Sequence, residues 1–156
     1  MIDVVIPGYK RLQLKHLVMD YNGTIACDGS LVAGVEELVN RLSRDLEVHV
    51  VTADTFGKAT RALADLTTRV LILPIDNQDQ RKREYVENLG SVFTVCIGNG
   101  KNDRLMLKTA ELGIAVIGRE GLAVEALLSA DIVCDNILSA LALLTNTGRL
   151  IATLRS

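Results

Sequence analysis

Lys15-His16-Leu17-Val18-Met19-Asp20-Tyr21-Asn22-Gly23-Thr24 is a short apolar run that breaks into a polar, glycine-containing turn. An apolar run of this length, bounded by a turn, is the pattern of a strand buried on both faces of a parallel sheet. Similar runs recur at 47–51, 70–73, 92–97 and 114–117, with a shorter one at 132–134. Between them lie amphipathic stretches at 35–43, 58–66, 80–89, 103–111 and 122–128. Strand–helix alternation at this spacing predicts right-handed βαβ units, and so an α/β fold with an open, three-layer, Rossmann-like parallel sheet. Residues 2–6 are expected to add an edge strand before the Pro7-Gly8 turn, and 27–32 to form a small hairpin turning at Asp28-Gly29. The tail, 136–154, reads as one or two closing helices broken near 146–148.

A chain of 156 residues without repeat, low-complexity segment or linker is most simply one domain, 1–156. A net charge of −2 carries no basic stripe and argues against a nucleic-acid partner; the one dense basic run, Arg81-Lys82-Arg83, is short. Three widely spaced cysteines, Cys27, Cys96 and Cys134, form no CxxC pair, so zinc or redox chemistry is not expected. No signal peptide is visible, and the most apolar late stretch, 137–144, is far shorter than the roughly 20 residues of a membrane helix. The expectation is a cytoplasmic protein without a membrane partner.

Open α/β sheets bind ligands outside the carboxyl ends of their strands. Asp20-Tyr21-Asn22-Gly23-Thr24 follows the 15–19 run, Thr52-Ala53-Asp54 the 47–51 run, and Gly98-Asn99-Gly100-Lys101-Asn102-Asp103 the 92–97 run. Lys82 opens the helix before that last strand. Four polar clusters therefore converge on one sheet edge. At about 100° per residue, Lys82 shares a stripe with Val86 and Leu89, while Arg81 and Arg83 fall to either side. Lys82 thus faces inward, where an ammonium needs anionic partners.

In order and spacing these clusters resemble the four motifs of the haloacid dehalogenase (HAD) superfamily, and in wording those of the P-type ATPase phosphorylation domain. The resemblance runs from residue 15 to about 134. It implies a phosphatase or phosphotransferase acting on a phosphorylated small molecule or macromolecule, with Asp20 as nucleophile and an aspartyl-phosphate intermediate. Catalytic roles would fall to Asp20, Asn22, Thr52 and Lys82. The phosphate would lie among Asp20, Tyr21, Asn22, Gly23, Thr52, Ala53, Lys82 and Asn102. Mg2+ would be held by an Asp20 oxygen, the Asn22 carbonyl and Asn99, with Asp103 binding it directly or through water.

Two departures from the family pattern stand out. Asn99 occupies a position where the pattern has Asp, so metal binding should be weak. Asn22 stands where HAD phosphatases carry their acid/base, so turnover should be slow unless a group such as Asp54 substitutes. The alternative is a phosphate-responsive regulatory or partner-binding module with little turnover. Gaps of 27 residues on either side of Thr52 (25–51 and 55–81) leave no room for a cap domain. A capless, open site suits a macromolecular substrate or a homo-oligomer in which a neighbour covers it. His16 and His49, both within strand runs, read as packed or edge residues.

Overall fold

The computed structural model describes residues 1–54 and 56–156. Six parallel strands form the main sheet: β3 (His16–Asp20), β6 (Glu47–Thr52), β7 (Arg69–Ile72), β8 (Thr94–Gly98), β9 (Leu112–Val116) and β10 (Ile132–Cys134). Their order is β10-β9-β8-β3-β6-β7. The chain leaves β3 toward β6 and β7, then crosses back to β8 on the other side of β3. The switch point lies between β3 and β8, where an open sheet of this kind parts to admit a ligand.

Strand alternation sorts the side chains onto two faces. Leu17, Met19, Val48, Val50, Val95 and Ile97 enter the larger core, beneath α1 (Val35–Leu42), α6 (Ile137–Thr145) and α7 (Thr147–Leu154). Val18, Val51 and Cys96 enter the smaller core, with Val86 of α3 (Gln78–Leu89), Met106 and Leu107 of α4 (Arg104–Thr109), and Ala126 of α5 (Val124–Leu127). Asp20 is two residues beyond Val18, so the alternation aims it at the α3 face. His16 and His49 share that face by the same parity.

α1 buries Val35, Val39 and Leu42 at helical spacing. The small hairpin exists as β4 (Ala26–Cys27) and β5 (Ser30–Leu31), and its turn residues take positive φ, 52° at Asp28 and 80° at Gly29, as a two-residue turn of this type needs. The closing helices break at Asn146, with a 103° bend. Among the described residues no single helix is long and apolar enough to cross a membrane. Residues 25–51 hold only the hairpin, α1 and all but the last residue of β6, so no cap is inserted there.

Three expectations need correction. Residues 2–6 do not join the main sheet. β1 (Ile2–Val5) pairs antiparallel with β2 (Arg11–Leu14), and this separate ribbon packs Ile2, Val4, Leu12 and Leu14 onto the larger core. The helix expected at 58–66 is only α2 (Lys58–Ala62); beyond it Ala64 and Leu66 make i→i−3 turns that still bury Leu63 and Leu66. The helix expected at 103–111 stops at Thr109, because the Glu111 N–H is drawn to the Ser91 and Thr94 carbonyls.

Candidate active site

Asp20 ends β3 and is 7% exposed, while Lys82, one turn into α3, is 1% exposed. The Lys82 Nζ donates to Asp20 Oδ1 at 2.6 Å and to Asp103 Oδ1 at 2.7 Å. An ammonium in this position is tolerable only because two carboxylates meet it. Arg81 and Arg83 are partly exposed on either side, as the helical period requires. Two carboxylates against one ammonium leave the buried triad with a surplus negative charge. Burial, with the nearby Asp103 carboxylate, pushes the Asp20 carboxyl up to about 6 even though Lys82 pulls it down. Burial opposes the Lys82 charge, but the two carboxylates outweigh it and hold the ammonium well above the ordinary lysine range.

Asp103 is completely buried and closes the loop after β8: its Oδ2 accepts from the Asn99 and Gly100 N–H groups at 3.0 and 2.8 Å. Thr24, the last residue of the first motif, had been given no role from sequence. It is 3% exposed, and its Oγ1 lies 3.3 Å from Asp20 Oδ2 and 3.2 Å from Asn99 Oδ1. A hydroxyl has one proton, so it satisfies one of these oxygens at a time. Two acceptors thus converge beside a buried negative charge, across the switch point between β3 and β8. An all-oxygen donor set with surplus negative charge fits a hard cation such as Mg2+.

The other predicted positions divide. Thr52 ends β6 at the same sheet edge and is 2% exposed; Ala53 follows it, partly buried. Gly23 has φ 79° and sits so close to Asn99 that a Cβ there would lie 2.4 Å from its Nδ2, so only glycine lets the first motif approach the β8 loop. Tyr21 turns its ring away: it is 1% exposed and its hydroxyl donates to the Gly29 carbonyl, leaving only its backbone for a phosphate. The Asn22 side chain is exposed. Asn102 Nδ2 is engaged by Gln78 Oε1 at 2.6 Å, on α3. Lys101 faces solvent and pairs with Glu125 at 3.0 Å. Asp54 accepts from the Ala59 N–H at 2.9 Å, which commits one of its oxygens to holding α2. Asn99 spends its amide nitrogen on the Gly121 carbonyl at 3.0 Å. Beside Gly23 and Thr24 opens a cavity of about 790 Å³, walled by the small hairpin at Cys27 and Leu31 and by Arg119 and Glu120.

No family model matches the chain. An uncharacterized protein of Methanocaldococcus jannaschii is 56% identical over 61 residues, 39% of this chain and 66% of that protein. A phosphoserine phosphatase of Lactococcus lactis is 31% identical over 116 residues, 72% of this chain and 52% of that enzyme. Human phospholipid-transporting ATPase ID is 30% identical over 107 residues, 69% of this chain and 8% of the ATPase. The chain therefore spans from under a tenth to about two thirds of these relatives. Among solved structures, a 3-deoxy-D-manno-octulosonate 8-phosphate phosphatase from Moraxella catarrhalis, in complex with magnesium, phosphate and its sugar, superposes with a TM-score of 0.71 at 15% identity, over 92% of this chain and 94% of that one. A HAD superfamily (subfamily III A) hydrolase from Legionella pneumophila gives 0.72 at 15% identity, over 90% and 87%. Identities this low speak for the fold alone. Together with the sequence relatives and with the motif residues gathered around Lys82, they bear out the resemblance to the HAD superfamily.

Proposed function

We propose that the protein is a Mg2+-dependent phosphatase or phosphotransferase that carries the phosphoryl group on Asp20. The observation that carries this reading is the Lys82 ammonium held between Asp20 and Asp103 at 2.6 and 2.7 Å in a buried site. Asp20 would attack phosphorus, forming an acyl-phosphate bond as the ester P–O bond breaks and the alcohol leaves with a proton taken from solvent. Lys82, Thr52 and the backbone N–H groups of the turn at Gly23 would meet the phosphoryl oxygens. Water would then attack phosphorus, releasing phosphate and the free carboxylate. Asp20, the Asn22 carbonyl and Asn99 would hold the metal, with Asp103 reaching it through water. A bound Mg2+ would neutralise charge on the phosphoryl group. Asn22 cannot exchange a proton near neutral pH, so the second step should be slow.

The cavity beside Gly23 and Thr24 is within the range of small-molecule sites, and Arg119 offers it a cation. That favours a small phosphorylated substrate; our reading further takes the 156 residues as one catalytic unit acting in the cytoplasm. The open edge would be covered in a homo-oligomer, which light scattering tests directly. The exposed, non-acidic Asn22 also supports a second reading, a phosphate-responsive module that keeps its acyl-phosphate and binds a partner. The test is to incubate the full chain with Mg2+ and an aryl phosphate, following turnover and trapping the labelled protein for mass spectrometry. Phosphate on Asp20, absent in Asp20→Asn, is the expected result. Label without turnover selects the second reading, and turnover that survives Asp20→Asn overturns both.

A further inference from the structure

At the opposite, amino-terminal end of the same strands lies a second cluster. His16 opens β3 and Glu47 opens β6, and the strand register sets them directly side by side. His49 lies two residues further along β6, on the same face. His16 Nδ1 is 3.3 Å from His49 Nε2 and 3.2 Å from Glu47 Oε2, and His49 Nε2 is 3.7 Å from the same carboxylate oxygen. Three ligand-type atoms thus form a small triangle.

Protons alone satisfy this triangle poorly. His49 Nδ1 is paired with the Tyr85 hydroxyl at 2.8 Å. If that nitrogen carries the ring proton, Nε2 presents a lone pair, and the single His16 Nδ1 proton serves either it or Glu47, not both. If instead Tyr85 donates, the Nε2 proton can serve His16, and the His16 lone pair then faces the carboxylate. In both of these arrangements one lone pair opposes another; the arrangement that avoids this turns both imidazole protons to Glu47 Oε2 and leaves His49 Nε2 3.7 Å from its acceptor, beyond hydrogen-bond length. The His49 ring is 1% exposed and its Nδ1 is already engaged by Tyr85, so Nε2 is the atom it can offer to the triangle.

A cation in the triangle resolves the conflict. For a tetrahedral ion with bonds of about 2.0–2.2 Å to nitrogen and oxygen, neighbouring ligand atoms are roughly 3.3–3.6 Å apart. The observed separations, 3.2, 3.3 and 3.7 Å, are close to that span. Outer contacts of the kind such sites use are already present. Tyr85 fixes the His49 ring, and Arg69 holds the other Glu47 oxygen, Oε1, leaving Oε2 turned to the imidazoles. Glu47 is 42% exposed and His16 18%, which provides an entry path and a fourth position for water.

We propose that His16, Glu47 and His49 bind one divalent transition-metal ion of the zinc class at the amino-terminal edge of the sheet. The site is distinct from the Asp20 site: along β3 the four-residue separation of His16 and Asp20 amounts to about 13 Å. Two imidazoles and a carboxylate select a borderline metal, whereas the all-oxygen edge around Asp20 and Asn99 selects Mg2+. The test is a calorimetric Zn2+ titration of the full chain in excess Mg2+. One equivalent should bind. His16→Ala and Glu47→Gln should each weaken binding by more than about 100-fold, beyond the 10–100-fold typical of outer contacts that Tyr85→Phe should show. Asp20→Asn should leave it unchanged. Co2+ bound at the site should give an intense tetrahedral absorption spectrum that His16→Ala removes. Absence of Zn2+ binding to the folded chain, equal binding in His16→Ala, or loss of binding in Asp20→Asn overturns the proposal.

Discussion

The two ends of β3 and β6 differ in the kind of deficit they bury. At the carboxyl end, Asp20 and Asp103 share one lysine, so the site has more negative charge than it can pair internally. At the amino end, His16, Glu47 and His49 bring together lone pairs and too few protons. One helix serves both: Lys82 reaches the first cluster and Tyr85, three residues on, reaches the second. Strand parity puts both clusters on the α3 face. Which metal or phosphate chemistry each end supports follows from the atoms presented there, not from the sheet they share.

The largest expected effect tests this contrast by pH, in chelator and without metal. Asp20 sits at about 6 in the folded chain against an ordinary 3.8, so the folded state takes up its proton first, and acidification from pH 6 toward 4 adds stability. His49 sits at about 4 against an ordinary 6.5, so its contribution is intact above pH 6.5 and is lost as pH falls toward 4. Each amounts to about 3 kcal/mol, with opposite sign. Asp20→Asn should therefore lose stability on acidification more steeply than the native chain, and His49→Phe less steeply. The two variants should diverge by about 5 kcal/mol in denaturant-derived stability between pH 6.5 and 4, since that window covers most of each shift. Parallel profiles would show that the two ends do not hold opposite deficits.

Lys82→Met sharpens the carboxyl end alone. It leaves Asp20 and Asp103 buried against each other without their cation, and breaking a buried ion pair from one side costs about 3–5 kcal/mol. Phosphorylation of Asp20 should vanish with it. Urea unfolding at pH 8 measures the cost. A loss below about 1 kcal/mol, the size of a surface pair, would mean that the carboxylates are not held by this lysine.

The Asp20 end was legible in the sequence because each element of it is local. Asp20, Thr52 and Asn99 each lie at or just beyond the end of an apolar run, and the helical period alone turned Lys82 inward and Arg81 and Arg83 outward. The Asp28-Gly29 turn was equally plain, since those residues tolerate the positive φ it needs. What escaped was whatever depends on register. His16 and Glu47 are 31 positions apart and become neighbours only through the β3–β6 pairing. Read singly, each histidine is an ordinary strand residue. The β1–β2 ribbon escaped for the same reason, although Leu12 and Leu14 alternate with polar residues as plainly as Ile2 and Val4 do.

Under the proposed mechanism, Asn22→Asp adds the proton-transferring group that the second step lacks. A positioned general base contributes roughly 10²–10⁴-fold, and repulsion between the new carboxylate and the phosphoryl group offsets part of that. Aryl phosphate hydrolysis should rise by about 10²-fold, and trapped acyl-phosphate should fall in proportion. An unchanged rate would show that some group other than residue 22 limits the second step.

The smallest effect is the most discriminating, because its sign depends on the metal. Asn99 differs from the family's usual Asp, and the structure gives that difference a local partner: Nδ2 donates to the Gly121 carbonyl at 3.0 Å, tying the β8 loop to the turn that walls the cavity. In Asn99→Asp a carboxylate oxygen would face that carbonyl, acceptor against acceptor. The buried triad, already short of positive charge, would gain another anion nearby. Leaving a buried polar group unsatisfied costs about 1–3 kcal/mol, so without metal the variant should melt below the native chain. With Mg2+ the same carboxylate supplies a charged ligand where the amide supplied a neutral one, so affinity should rise. Saturating Mg2+ should then more than return the loss, since the stabilisation a ligand gives to the state it binds grows with the logarithm of its affinity. The crossing of the two melting-temperature curves as Mg2+ is raised is the quantity to measure. If the variant is weaker at every Mg2+ concentration, Asn99 serves as the tie to Gly121 and stands outside the metal shell. A variant stronger at every concentration would mean that the tie contributes nothing.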